Sequence, residues 1–230
     1  IIKMKYSLII PIYNEERTLS LLLKRLNKLD KNLEIIIIDD GSNDETEDIL
    51  KNANNNFKII KNQSNLGKGA SIKKGVQLAS HENIIFIDGD LEVDIRDIPR
   101  LMKRFESKKC DSLVGVRWQK NKKSIFDINT VGNYLINYFF NLLFNSQIKD
   151  VLCCVKILNL NQFKSFNIQS NGFSIEVETM AKLILNNLTI DEVNIQYSRR
   201  TTEQGKKLRI SDGWNILWMI ISLRLKKKYQ

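Results

Sequence analysis

Short apolar runs alternate along this chain with stretches in which apolar residues recur every three or four positions. Ser7–Ile12 is a run of the buried-strand kind. Leu19, Leu22, Leu23, Leu26 and Leu29 follow at helical spacing and predict an amphipathic helix over Glu15–Leu29. The alternation repeats: Leu33–Ile38, Phe57–Lys61, Asn83–Ile87 and Ser112–Val116 read as strands. Helices are expected over Asn43–Lys51, from the Asn65–Gly69 glycine loop to Ala79, and over Asp97–Ser107. This order predicts an α/β fold, with a mostly parallel central sheet flanked by crossover helices. Such sheets bind ligands outside the carboxyl ends of their strands. Asp39, Asp40, Asp88 and Asp90 all fall at such ends, so the pattern gathers four carboxylates on one edge.

The second half is less regular. Asp150–Leu158 and Thr189–Tyr197 read as strands. Thr130–Asn145 places Val131, Leu135, Tyr138, Phe139 and Leu142 on one helical face, which Phe140, Leu143 and Phe144 widen beyond an ordinary core stripe. Gly213–Leu225 is helical and apolar nearly all round, carries Trp214 and Trp218, and runs into Lys226, Lys227 and Lys228. Both segments are too short to span a bilayer, which takes about 20 apolar residues. Tryptophans, an apolar body and a lysine cluster instead suit a helix lying in a membrane interface.

Composition narrows the picture. A chain of 230 residues that is 43% hydrophobic can bury one sizeable core. Cys110, Cys153 and Cys154 make neither a disulfide framework nor a zinc spacing, and suit a reducing compartment. The single histidine, His81, argues against histidine-based metal or triad chemistry and reads as a surface or capping residue. Net charge is +10, and the excess is densest among Arg199, Arg200, Lys206, Lys207, Arg209 and the terminal lysines. A basic surface of this kind expects an anionic partner. Nucleic acid is not expected, because no stacking-aromatic or helix-turn-helix signature accompanies the charge.

Three clusters carry candidate chemistry. Asp88-Gly89-Asp90 closes a strand and can hold a divalent cation, with Glu92 as a third ligand; hard oxygen donors suit Mg²⁺ or Mn²⁺. Asp39-Asp40-Gly41-Ser42 closes another strand, where a carboxylate can accept hydrogen bonds from a nucleobase or a ribose. Pro11-Ile12-Tyr13-Asn14-Glu15 sets an aromatic ring and a carboxylate beside the same edge.

Together these motifs resemble the inverting nucleotide-sugar glycosyltransferases of family 2, which have the GT-A fold. Further segments are similar to the polyprenyl-phosphate (dolichyl-phosphate) mannosyl- and glucosyltransferase branch. They are Asn65-Leu66-Gly67-Lys68-Gly69-Ala70, Gly115-Val116-Arg117, Gly172-Phe173-Ser174-Ile175-Glu176, and Glu192–Ile195 leading to the basic run. The resemblance implies that Pro11, Tyr13, Glu15, Asp39, Asp40 and Lys68 bind the nucleotide, joined by Asp88. It implies that Asp88, Asp90 and Glu92 hold the metal. Arg117, Arg200 and Lys207 would contact phosphates and, with Asp88 and Asp90, form the catalytic set. The chain departs from the branch in having Gly89 inside its acidic triplet and Glu92 where glutamine is usual. Its closing basic motif is one residue longer, so either Arg199 or Arg200 can fill the arginine position.

A phosphate acceptor arrives ionised and needs cations rather than a general base, a task that suits Arg199, Arg200, Lys206 and Arg209. A saccharide-hydroxyl acceptor would need a base, for which Asp150, Glu176 and Glu178 are candidates. A silent membrane-associated scaffold is the remaining reading. The resemblance therefore implies a nucleotide-sugar donor such as GDP-mannose or a UDP-sugar, a polyprenyl phosphate acceptor and a membrane surface, with a small membrane protein as a further partner. The expected organisation is a GT-A domain over 1–210 and a membrane-associating helix over 211–230. The expected location is peripheral, at the cytoplasmic face of a membrane.

Overall fold

The computed structural model describes residues 4–53, 56–117, 128–200 and 210–227. Seven strands form one sheet: β1 (Tyr6–Ile12), β2 (Glu34–Asp39), β3 (Lys58–Lys61), β4 (Asn83–Phe86), β5 (Ser112–Val116), β6 (Lys156–Asn159) and β7 (Ile190–Asn194). Their order across the sheet is β3-β2-β1-β4-β6-β5-β7. The helices are α1 (Glu16–Leu26), α2 (Thr46–Asn52), α3 (Lys68–Leu78), α4 (Ile98–Lys108), α5 (Ile128–Phe144), α6 (Leu160–Ser165), α7 (Ile175–Leu185) and α8 (Ile210–Lys227). The elements expected through Val116 all form.

Alternation along the strands divides the core. Leu8, Ile10, Ile35, Ile37, Ile85 and Ile157 face one way and pack with Leu19, Leu22 and Leu26 of α1 and Leu101 of α4. Ile9, Ile36, Ile38, Ile84, Phe86 and Leu158 face the other way, toward α3, α5, α6, α7 and α8. With both faces covered, these strands are near-continuous apolar runs, as parallel strands require.

β6 is the exception to parallel order, pairing antiparallel with both β4 and β5. It is also shorter than the strand expected over Asp150–Leu158, because Asp150–Val155 is taken up in turns. Reversal has a positional consequence. The first residue of β6, Lys156, pairs with Phe86, the last residue of β4. A lysine thereby reaches the carboxyl edge where Asp88 and Asp90 follow.

The two aromatic helices turn one face inward and leave the other bare. On α5 the buried apolar residues are Ile136, Phe140 and Phe144, spaced four apart, with the last two rings stacked at 4.7 Å between centroids. The face expected from the sequence (Val131, Leu135, Tyr138, Phe139, Leu142) is the exposed one. On α8, Ile216, Ile220 and Leu223 join the core, while Trp214 and Trp218 are 73% and 70% exposed. α5 and α8 pack against each other. Among the described residues no helix is long and apolar enough to cross a membrane.

Candidate active site

The carboxyl edge opens into a cleft of 1310 Å³. Its walls include Pro11, Tyr13, Glu15, Asp40, Lys68, Asp88, Asp90, Glu92, Arg117, Arg199 and Arg200, and it continues to Leu135 and Phe139 of α5 and Trp214 and Leu217 of α8. One space therefore joins the acidic edge of the sheet to the aromatic helices.

Asp39 and Asp40 part company at the end of β2. Asp39 is fully buried and caps the following turn, its Oδ1 accepting from the Ser42 amide at 2.9 Å and from the Ser42 hydroxyl at 2.5 Å. Its buried Oδ2 has no hydrogen-bond partner among the described residues. Asp40 lines the cleft, but its oxygens hold the glycine loop. Oδ1 accepts from the Asn62 amide group at 2.8 Å and the Leu66 N–H at 3.0 Å, and Oδ2 accepts from the Gly67 N–H at 2.8 Å. Gly67 sits at φ 97°, and a β-carbon there would collide with the Asn171 carbonyl oxygen. Only glycine lets the loop lie so close to the 170–172 segment. The loop ends at the N-terminus of α3, whose dipole favours an anion.

Lys68, the first residue of α3, lies between two carboxylates. Its ammonium is 2.6 Å from Asp88 and 2.7 Å from Glu176. Glu176 in turn accepts from Lys156, which also donates to the Cys153 carbonyl oxygen. Burial alone would lower the Lys68 pKa, but Asp88 and Glu176 outweigh it and hold the group firmly charged. Burial likewise opposes the Glu176 charge, and Lys156 and Lys68 overcome it.

Asp90 stands apart from this row. Burial first, then the charges of Asp88 and Glu92, push its carboxyl up to about 7, against a weaker opposing pull from Arg200 at 3.5 Å. Asp88 and Asp90 offer only oxygen donors, and the crowding of carboxylates around Asp90 exceeds what Arg200 offsets, which fits a hard divalent ion that takes its remaining ligands from a diphosphate. Glu92 does not complete a protein cage. Its oxygens accept from the Tyr197 hydroxyl and the Arg200 N–H, both at 2.8 Å. No group of three or more His, Cys, Asp or Glu that could hold a metal occurs among the described residues. Glu92 thus anchors the segment after β7, a role set by its reach across to that segment.

The expected phosphate contacts divide in the same way. Arg117 makes a two-pronged pair with buried Asp150, 2.8 Å at each nitrogen, and its guanidinium lies over the Tyr197 ring at 5.5 Å. Arg200 pairs with Glu15 at 2.8 and 3.1 Å, while Arg199 donates to the Thr130 hydroxyl at 3.0 Å. Lys206, Lys207 and Arg209 lie outside the described residues. The three candidate bases are all engaged: Asp150 by Arg117, Glu176 by two lysines, and Glu178 by the Gln169 and Ser170 N–H groups at 2.9 and 2.8 Å. Lys156 and Tyr197 were not singled out from the sequence. Lys156 carried a signal, being a lone cation inside the apolar run Val151–Leu158.

Residues 7–167 match the model of a family described as glycosyl transferase family 2. A dodecaprenyl-phosphate galacturonate synthase of Rhizobium johnstonii is 26% identical over 99% of this chain and 68% of its own length. A dolichyl-phosphate β-glucosyltransferase of Dictyostelium discoideum is 26% identical over 88% of this chain and 68% of its own. Among solved structures, glucosyl-3-phosphoglycerate synthase of Mycobacterium tuberculosis, in complex with Mn²⁺, uridine diphosphate and glucosyl-3-phosphoglycerate, superposes with a TM-score of 0.73. That alignment covers 96% of this chain and 80% of the other at 16% identity, a likeness of fold.

Proposed function

This chain belongs to glycosyl transferase family 2, and we propose that it moves a hexose from a nucleoside diphosphate sugar to the phosphate of a polyprenyl lipid, inverting the anomeric carbon. The observation that carries the lipid acceptor is the continuity of the cleft. It runs from Asp88 to Leu135, Phe139 and Trp214, so a phosphate held at the acidic edge leaves its apolar tail among the exposed residues of α5 and α8. The full engagement of Asp150, Glu176 and Glu178 supports the same reading, because an ionised phosphate needs no base.

The residues divide the work by position. Pro11 and Tyr13 border the nucleoside, with Asp40 shaping the glycine loop beneath it. Glu15 orients Arg200. Lys68 and the α3 N-terminus face the diphosphate, where positive charge stabilises the departing group. Asp88 and Asp90 would hold Mg²⁺ or Mn²⁺, which when bound adds charge stabilisation at the leaving diphosphate. Arg199 and Arg200, with Lys206, Lys207 and Arg209 of the basic run, hold the acceptor phosphate. Its oxygen attacks the anomeric carbon in line, a new C–O bond forms, and the bond to the diphosphate breaks with its electron pair. No proton changes hands.

Helix α8, with the lysines Lys226, Lys227 and Lys228, acts as the membrane-associating segment beyond the catalytic domain of residues 1–210. The chain works peripherally at a membrane surface, on the cytoplasmic face where nucleotide sugars are supplied, and a small membrane-protein partner would add a second anchor. The test is transfer from radiolabelled UDP- and GDP-sugars with Mn²⁺ to undecaprenyl phosphate or to a free saccharide. Label is expected in the organic phase. Asp88→Asn should lower transfer by at least about a hundredfold while the circular dichroism spectrum is kept. Label appearing only in aqueous saccharide would overturn the lipid reading.

A further inference from the structure

Lys156 is fully buried on β6 and lies outside the phosphate-binding set. A buried ammonium must be matched by an acceptor of opposite charge. Here the match is Glu176, and Glu176 is shared: one oxygen faces Lys156, the other lies 2.7 Å from Lys68. Lys68 is shared too, between Glu176 and Asp88 at 2.6 Å. The result is a row of alternating charges, Lys156, Glu176, Lys68 and Asp88, running from the sheet interior to the cleft. The row is neutral as a whole.

We propose that Lys156 and Glu176 are positioning residues that park Lys68 as the standing counter-cation of Asp88, to be exchanged for a divalent metal. This rests on the reading of Asp88 and Asp90 as the metal-holding pair. When a metal takes Asp88, Lys68 keeps Glu176 as a partner and so remains charged, buried and in place. Its ammonium is then released from Asp88 toward the cleft, where the donor's diphosphate enters. Glu176 can do this only if it stays charged and in place inside the fold, and the pairing with Lys156 holds it there. Without the Lys156–Glu176 pair, Lys68 would have Asp88 as its sole carboxylate in the row, and a metal would have to compete with it at full strength.

The test measures Mn²⁺ alone by the loss of its free-ion electron paramagnetic resonance signal, without substrate or turnover. Wild-type protein should bind, and Asp88→Asn should not. Lys156→Met combined with Glu176→Leu removes a matched pair and leaves no buried orphan charge; Mn²⁺ should bind it about tenfold more weakly. Adding Lys68→Met to that background should restore the affinity, because the competing ammonium is gone. Lys68→Met alone should bind about tenfold more tightly than wild type. A role confined to stability would lower the melting temperature of the paired variant and leave its Mn²⁺ affinity unchanged, which overturns the proposal. Should the paired variant not fold, unchanged affinity in Lys68→Met overturns it equally. Wild-type protein that fails to bind Mn²⁺, or Asp88→Asn that binds as well as wild type, would instead overturn the metal reading beneath it.

Discussion

Glu34 shows how a single carboxylate at the far end of the sheet from the cleft contributes to stability. It opens β2 and accepts from Ser7, Lys58, and the amide and hydroxyl of Ser80. Burial alone would raise its pKa, but these donors prevail and bring it down to about 2 from an ordinary 4.5. A lowered folded-state value means stability that is present above the unfolded pKa and lost as pH falls through the folded one. Glu34→Gln should therefore melt below wild type at pH 7, and the gap should close between about pH 4.5 and 2. Thermal melts across that range check it; a gap that persists at pH 2 would count against the assignment. Partial exposure keeps the effect modest. Asp39 and Asp40 make a related point about neighbours. Both were legible as ligand-edge carboxylates, yet one caps a turn and the other holds a glycine loop, because their side chains leave the strand end in different directions.

Helix α5 separates packing from exposure within one element. Phe140 is wholly buried and stacks on Phe144, whereas Tyr138, two residues earlier, is 63% exposed. Phe140→Ala should cost about 3–5 kcal/mol. Tyr138→Ser should stay within about 0.5 kcal/mol. Urea denaturation of the two variants measures both, and equal losses would show that the inward face is misassigned. The apolar pattern alone was ambiguous here, since residues fit for a core and for a membrane interface lie on both sides of the helix. Packing against α7 and α8 decides which side faces in.

At the scale of the whole molecule, the bare faces of α5 and α8 lie at the mouth of the cleft on a chain of net charge +10. Vesicle sedimentation should show stronger binding to anionic than to zwitterionic lipid, weakening as salt is raised. Replacing both Trp214 and Trp218 by serine should reduce the partition coefficient about tenfold, because interfacial binding scales with buried apolar area. The melting temperature should hold, since both rings lie outside the core. Binding that is indifferent to lipid charge and to both tryptophans would remove the membrane-surface reading.

The repeating strand-and-helix pattern by itself determined the α/β sheet, its carboxyl edge and the acidic turns Asp39–Asp40 and Asp88–Asp90 at that edge. Each is encoded by residues close in the chain: the periodicity of apolar positions and the turn that follows each run. Helices α6 and α7 and the reversal of β6 were not legible, because they depend on how the second half of the chain packs over the first. Tertiary structure alone decided which charges meet. Arg200 reaches Glu15, Arg117 reaches Asp150, and Lys156 reaches Glu176 and through it Lys68 and Asp88. Buried ions must find partners wherever the fold places them, so the residue types of this edge were legible in the chain while their pairing was decided by the fold.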